Sequence, residues 1–326
     1  MQTQYGDISP RTAGYVSADL LARGIPYLLF EKFGQGKPVP MNSTKSIIFR
    51  RYEALDNTPS ALSEGVTPTA KKLTKTDITA NLTQYGDVVE ISDVVADTHE
   101  DPVLMEAVEI LSEQAAQMIE IARYGIIKAG TNVFYANGTA RTDVNTAISL
   151  SLQRRVTRAL NRQNARRITS VVRSTPSFGT TNVAPSFVAL CHTDCEGDVR
   201  NMPGYQPTET YGAMHDAEIG KVENCRYFGS SLLTPFTDGG ASTSTMLSTG
   251  AVVADVYPVL YFGRDAYGIV PLKGKAAITP SVVNPKPSAS DPLGQRGYAG
   301  WKSMQTAVIL NDLWMARAEV AVSINP

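Results

Sequence analysis

Cysteine and histidine are scarce, three of each in 326 residues. An odd, low thiol count excludes a disulfide-built scaffold and fits a reducing compartment. An excess of one charge is also missing. The formal net charge is −1, without the basic surplus by which a dedicated nucleic-acid binder holds phosphate, although one local basic surface remains compatible with it. Long apolar runs are absent. The most apolar early stretch, IPYLLF at 25–30, is followed at once by Glu31 and Lys32 and is far shorter than a bilayer span. The opening MQTQYGDISP is polar and lacks a basic segment leading into an apolar core, so no secretory signal is expected. Without export, the sequons beginning at Asn42, Asn81 and Asn137 are chance matches. Catalytic fingerprints are missing as well: no Gly-x-Ser-x-Gly, no His-Glu-x-x-His, no dinucleotide glycine pattern. GQGKPVP only superficially resembles a phosphate loop, because Pro38 follows Lys37 where a hydroxyl residue is required.

What is present describes a globular chain. Hydrophobic residues make up 43% and charged residues 19%, and the length suffices for about two lobes. Residues 1–44 are punctuated by Gly and Pro and read as an arm, with a short helix possible around Ala18–Ala22. Residues 45–93 read as a long two-stranded excursion. SIIFRRYEAL is rich in β-branched and aromatic residues. DITANLTQYGDVVEIS alternates, with a phase slip near Tyr85–Gly86 that a bulge would explain. The polar, turn-rich stretch between them has little apolar surface. Isolated hairpins are marginal in water, so this one is expected to lie on something else, such as another copy of the chain.

Two helices are expected next. Residues 101–129 have Asp101 as N-cap, Pro102 at the first position and Gly130 as stop, with a stripe of Leu104, Val108, Leu111, Ala115, Met118 and Ala122. In SLQRRVTRALNRQNARR, Leu152, Val156 and Leu160 mark the buried face, and Arg155, Arg158, Arg162 and Arg166 fall on another. That arginine stripe has three open readings: a solvated face, a contact with acidic groups of a neighbouring subunit, or a contact with nucleic acid. Short strands follow in SFVALCH, VENCRYFGSSLL, PVLYFGRDAYGIVPL and TAVILND. WMARAEVAV is read as strand from its alternation, against its helix propensity. Residues 237–250 and 284–300 have the composition of linkers. The architecture is α+β.

The cluster CHTDC, Cys191–Cys195, raises zinc or thiol chemistry. Zinc needs four ligands, and His99, His215 and Cys225 form no second pair. A cysteine nucleophile needs a base, and His192, adjacent on a strand, points to the opposite face. The structural reading is a buried strand ending at Cys191, then a Thr193-x-x-Glu196 capping box starting a short helix before Pro203–Gly204. Cys195 in a first helical turn would have a somewhat lowered pKa. Neighbouring carboxylates, Glu90 with Asp93 and Asp97 with Glu100 and Asp101, are explained as strand-end and helix-end caps. No catalytic, cofactor-binding or metal-binding residues are assigned, and no enzyme is expected.

Several long segments, in order, are spread along nearly the whole chain: RTAGYVSADLLARGIPYLLFEKFGQGKPVP, IIFRRYEAL, ALSEGVTPT, TQYGDVVEISDVVADTHEDPVL, AGTNVFYANG, ADVYPVLYFGRDAYGIVPLKG and DPLGQRGYAGWKSMQTAVILNDLWMARAEVAV. With these the chain resembles the major capsid proteins of tailed phages, in the branch of podoviruses and many prophages. The resemblance implies a Hong Kong 97-like fold. It makes residues 1–44 the N-terminal arm and 45–93 the extended loop lying on the adjacent subunit. It makes 94–144 the peripheral lobe with its spine helix at 101–129, 145–283 the axial lobe, and 284–326 a return to the peripheral lobe. It implies hexamers and pentamers closing an icosahedral shell around double-stranded DNA, assembled in the host bacterial cytoplasm without a membrane. Decoration or scaffold proteins, a portal, and weak non-specific contact with packaged DNA come with it. Relatives carry a His-Pro-Asp type turn where this chain has Thr193 and Cys195. Lys71, Lys72 and Lys75 at the hairpin tip, with Arg155, Arg158, Arg162 and Arg166, are the candidate intersubunit contacts. The alternatives are another phage structural protein, such as a decoration or tail subunit, or a thiol or zinc enzyme.

Overall fold

The computed structural model describes residues 28–40, 44–92 except 57, 60, 63, 66 and 68, then 103–168, 172–175, 179–182, 184–213, 215–272, 278–283, 287 and 292–326. The expected helix at Ala18–Ala22, and the caps at Asp93, Asp97, Glu100 and Asp101, lie outside these residues. The chain enters through a short helix α1 (Phe30–Phe33) and a short strand β1 (Gln35–Gly36). The excursion forms β2 (Ser46–Tyr52) and β3 (Lys75–Asn81), paired antiparallel as a two-stranded hairpin.

The chain then changes sheets. Strand β4 (Thr83–Ser92) leaves the hairpin at Leu82 and pairs along ten residues of β15 (Arg296–Ile309), in unbroken register. The bulge expected at Tyr85–Gly86 is therefore not there; the phase slip marks the handover at Leu82, 1% exposed. Glycine stands at position 86 for a different reason: a Cβ would come within 2.7 Å of the Trp301 carbonyl oxygen. Strands β13 (Tyr267–Pro271) and β14 (Ile278–Val283) also pair with β15, and β1 adds to β13 in parallel, giving a five-stranded sheet. Residues 296–300, expected as linker, are thus the start of the longest strand. Its burial alternates, so glycines and prolines nearby set its ends without preventing pairing.

The long helix α2 (Val103–Ile127) packs across this sheet. Its first half buries Val108, Leu111, Ala115 and Ile119 against Ile91, Ala299 and Trp301. Its second half turns Tyr124 and Ile127 toward a second sheet. Met118 and Ala122, expected in the stripe, are only half-buried, because contact with two sheets rotates the buried face. At Gly130 a Cβ would come within 2.8 Å of the Met315 methyl, so the stop is set by close approach.

The second sheet has seven strands, ordered β5-β16-β12-β8-β11-β10-β9. These are β5 (Val133–Tyr135), β8 (Phe187–Cys191), β9 (Tyr205–Pro207), β10 (Glu218–Val222), β11 (Cys225–Gly229), β12 (Tyr257–Phe262) and β16 (Met315–Val320). Helix α3 (Leu150–Arg162), capped by Ser149 accepting from the Leu152 N–H at 3.3 Å, covers one face with Leu152, Val156 and Leu160. The arm residues Leu29 and Phe30, the end of α2 and β13 cover the other. Burial on both faces explains the near-continuous apolar runs of β8 and β12. The strand expected in WMARAEVAV is present as β16. Its alternation does not separate core from solvent: only Arg317 is less than fully buried, its side chain 12% exposed, and Glu319 is fully buried between Arg141 at 2.7 Å and Arg317 at 2.9 Å. A separate pair, β6 (Val172–Thr175) with β7 (Gly179–Asn182), forms a small hairpin. Residues 237–250 run as irregular chain with isolated bridges, Ser242 to Val253 and Met246 to Ser323.

Candidate assembly surfaces and the CHTDC corner

The hairpin has a seated base and a bare tip. At the base, Phe49, Ala80 and Leu82 pack with Val39 and Val270. Arg50 ties the strands through a bidentate pair to Asp77, at 2.8 and 3.1 Å. Beyond that, every described residue from 51 to 75 is exposed, including Leu62 at 74% and Leu73 at 61%. Of the three lysines singled out in the sequence, Lys71 donates to the Asp56 carbonyl at 3.2 Å and Lys75 sits 3.4 Å from Asp77. Lys72 is exposed. The three lie on one exposed limb, two of them held within the hairpin.

The arginine stripe is a real grouping with one member missing. Arg155, Arg158 and Arg162 line a cleft of about 260 Å³ with Asn132, Phe134 and Leu313. Arg155 donates to the Tyr135 carbonyl at 2.6 Å, and its guanidinium lies 5.8 Å from the Phe134 ring centre. Among the described residues none of the three is ion-paired, whereas the neighbouring Arg154 pairs with Glu223. Arg166 is not part of this face. The helix ends at Arg162, and Arg166 is in the following coil, where its carbonyl accepts from the Arg264 N–H at 2.7 Å. A step of four residues keeps side chains aligned only while the helix continues.

At CHTDC the strand ends and a 3-10 turn, Thr193–Cys195, leads into α4 (Glu196–Arg200). The expected cap by Thr193 is replaced by one from His192, whose Nδ1 accepts from the Asp194 N–H at 3.1 Å. All three cysteines are buried free thiols. Burial pushes the Cys191 thiol up to about 12 and carries Cys195 and Cys225 upward too. The lowering expected for Cys195 is overturned: desolvation exceeds the influence of one helical turn. Cys191 lies 3.6 Å from the Phe228 carbonyl. Among the described residues no group of three His, Cys, Asp or Glu side chains could hold a metal ion, and no helix is long and apolar enough to cross a membrane.

One feature was not anticipated. Glu120, on α2, accepts backbone N–H groups from Leu29 at 2.9 Å and Phe30 at 3.0 Å, while 1% exposed. Burial raises its carboxyl to about 7, against the lowering by the two N–H donors and Arg123. Arg123 donates to Gln305 at 2.9 Å and meets Glu31 at 3.4 Å. Tyr267 donates to the Phe30 carbonyl at 2.7 Å. Together they fasten the inner end of the arm to α2. The sequence held a signal: two charges on a helical face between Ala116, Ile119 and Ile127 are buried only if partnered.

A family model described as phage capsid protein matches residues 75–317. No curated protein matches the chain in sequence. Solved structures similar to this fold include the capsid of Ralstonia phage GP4, at TM-score 0.68 and 12% identity, over 90% of this chain and 88% of that one. The capsid of cyanophage Pam1 is similar at TM-score 0.65 and 11% identity, over 90% and 89%. The head of Helicobacter pylori bacteriophage KHP40 is similar at TM-score 0.61 and 11% identity, over 88% and 87%.

Proposed function

This chain belongs to the phage capsid protein family, and on that premise we propose how it works as the major capsid protein that forms the head shell. It is a structural protein of the virion. The arrangement is Hong Kong 97-like. Residues 1–44 act as the arm, the β2–β3 hairpin as the extended loop, and α2 as the spine of a peripheral lobe built on the five-stranded sheet. The seven-stranded sheet is the body of the axial lobe, with β16 added to it from the C-terminal region. Copies gather into hexamers and pentamers that close an icosahedral shell around double-stranded DNA in the bacterial cytoplasm. Portal, scaffold or decoration proteins complete the particle.

One observation supports this mechanism most directly. The hairpin tip presents Leu55, Leu62 and Leu73 to solvent and buries none of its described residues. A lone subunit gains nothing from such a limb, since ordering it costs about 1–2 kcal/mol per residue in backbone entropy. Laid on a neighbour, the same limb covers apolar surface and joins subunits. Lys71, Lys72 and Lys75 then approach acidic groups there. Electron microscopy of the expressed protein, with the phage's other head proteins supplied, tests the reading. Closed shells are expected; a persistent monomer would overturn it.

A further inference from the structure

Charge is unevenly distributed along the chain. From residue 76 to 122 it carries eleven Asp and Glu and no Lys or Arg. From 144 to 193 it carries seven Arg and no Lys, Asp or Glu. The basic stretch supplies α3, which packs on one face of the seven-stranded sheet through Leu152, Val156 and Leu160. Its other side is open. Arg155, Arg158 and Arg162 are exposed there and line a cleft of about 260 Å³ whose lining contains no carboxylate. Gln163 adds a neutral donor to the same lining. Past the helix end, Arg166 and Arg167 are exposed in the coil, so the basic surface runs on beyond α3. The helix dipole accounts for a cation in the last turn, where Arg162 stands, but not for Arg155 two turns earlier.

Resting on the shell reading, we propose that the Arg155–Arg158–Arg162 cleft is where the wall touches the packaged duplex, holding phosphates of one DNA strand. Spacing suits this occupant. The three arginines span about 10 Å at 1.5 Å per residue. A DNA strand rises about 3.4 Å per phosphate, so the stripe runs along about three of them. The side-chain type suits it too. A guanidinium presents a planar fork of donors that matches two phosphate oxygens, and it stays charged. Phe134 lies beneath Arg155, 5.8 Å from the guanidinium, and the Tyr135 carbonyl accepts from the same side chain at 2.6 Å. One member of the stripe is thereby held in place before any ligand arrives. A neighbouring subunit's carboxylates could meet one or two of these cations. Five exposed arginines running from helix into coil instead fit a continuous polyanion. Because the contact is to phosphate, it reads no base sequence, as a wall around a whole genome requires. The acidic stretch at 76–122 repels phosphate, which confines the contact to the basic side of the subunit.

Salt dependence tests this. Arg155→Gln, Arg158→Gln and Arg162→Gln together remove the charge and keep good helix formers. Binding of the purified subunit to a short double-stranded DNA is measured across a range of salt. The fall of log K with log salt should be shallower in this variant by about 2–3, at about 0.9 per phosphate contact. Lys71→Gln, Lys72→Gln and Lys75→Gln together remove the same charge from the hairpin tip and should leave the slope unchanged. An unchanged slope in the arginine variant overturns the proposal. So does an equal loss in the lysine variant, which would mean that DNA senses net charge alone. The arginine variant should also close shells at the wild-type yield; a folded variant that does not would place the cleft against a neighbouring subunit and overturn the proposal. Should the triple variant fail to fold, Arg158→Lys keeps the charge and supplies an amine that formaldehyde joins to DNA. DNA-filled heads of that variant should give an adduct on the peptide spanning position 158, and its absence overturns the proposal. Wild-type chain that never forms shells would refute the shell reading itself, and the salt slope of the free subunit would still judge the cleft.

Discussion

Glu120 joins two parts of the chain that are ninety residues apart, and its ionisation acts on that junction. Its carboxyl faces Arg123 on its own helix, Glu31 on the arm and Tyr267 on β13. Burial raises its pKa from the ordinary value to about 7. The native state therefore holds the proton more tightly than the unfolded chain. The resulting stability is fully present below about pH 4.5 and is lost as pH rises to about 7, up to about 3 kcal/mol in all. Glu120→Gln keeps an oxygen for Leu29 and Phe30 but cannot ionise. Thermal unfolding from pH 5 to pH 8 should show a falling midpoint for the wild type and a flatter profile for this variant. Parallel profiles would mean that Glu120 does not titrate in this range.

At the scale of elements, the hairpin divides into a base held by the rest of the chain and a tip that is exposed. Its base is fixed by Phe49, Ala80 and Leu82 and by the Arg50–Asp77 pair. Lys71→Glu, Lys72→Glu and Lys75→Glu together remove one weak exposed hydrogen bond and one solvent-screened ion pair, a small loss to the fold. The subunit should melt within a few degrees of the wild type while shell yield falls sharply. Unchanged yield would make the lysines merely solvated. The sequence made this limb legible because the scarcity of apolar residues at its tip, too few to form a core, is a local fact. It made α3 legible through Ser149 and the spacing of Leu152, Val156 and Leu160. It misplaced the break near Tyr85 because alternation of period two looks the same in either of two sheets, and only long-range pairing with β15 reveals the handover at Leu82. The start of β15 was hidden for the same reason: Arg296–Gly300 has loop-like residues, and its order comes from β4 and β14 on either side. Three of the four arginines were grouped correctly; Arg166 was lost because the end of α3 was set too late.

For the whole molecule, α2 decides whether the two sheets behave as one body. It buries Val108 to Ile119 on the five-stranded sheet, then Tyr124 and Ile127 beneath the seven-stranded one, without a break. Tyr124 also donates to the Thr234 carbonyl at 2.8 Å. Unfolding either sheet strips one half of this helix of its packing. Each large apolar side chain exposed in that way costs about 1.5–3 kcal/mol, so partial unfolding exposes several such groups at once. One cooperative transition follows for the free subunit. The chain's two tryptophans report on different places: Trp301 is buried on β15 beside α2, and Trp314 packs at the edge of the seven-stranded sheet with its indole N–H on the Gln163 carbonyl at 3.0 Å. In Trp314→Phe the remaining fluorescence follows the first sheet, and in Trp301→Phe the second. Each fluorescence midpoint should coincide with that variant's own circular-dichroism midpoint. Ile127→Ala, introduced into both, should lower the two midpoints together, by the equivalent of about 2–5 kcal/mol. If only the Trp314 signal moved, α2 would be two helical halves serving separate lobes, and the subunit would enter the shell as two bodies joined by a hinge.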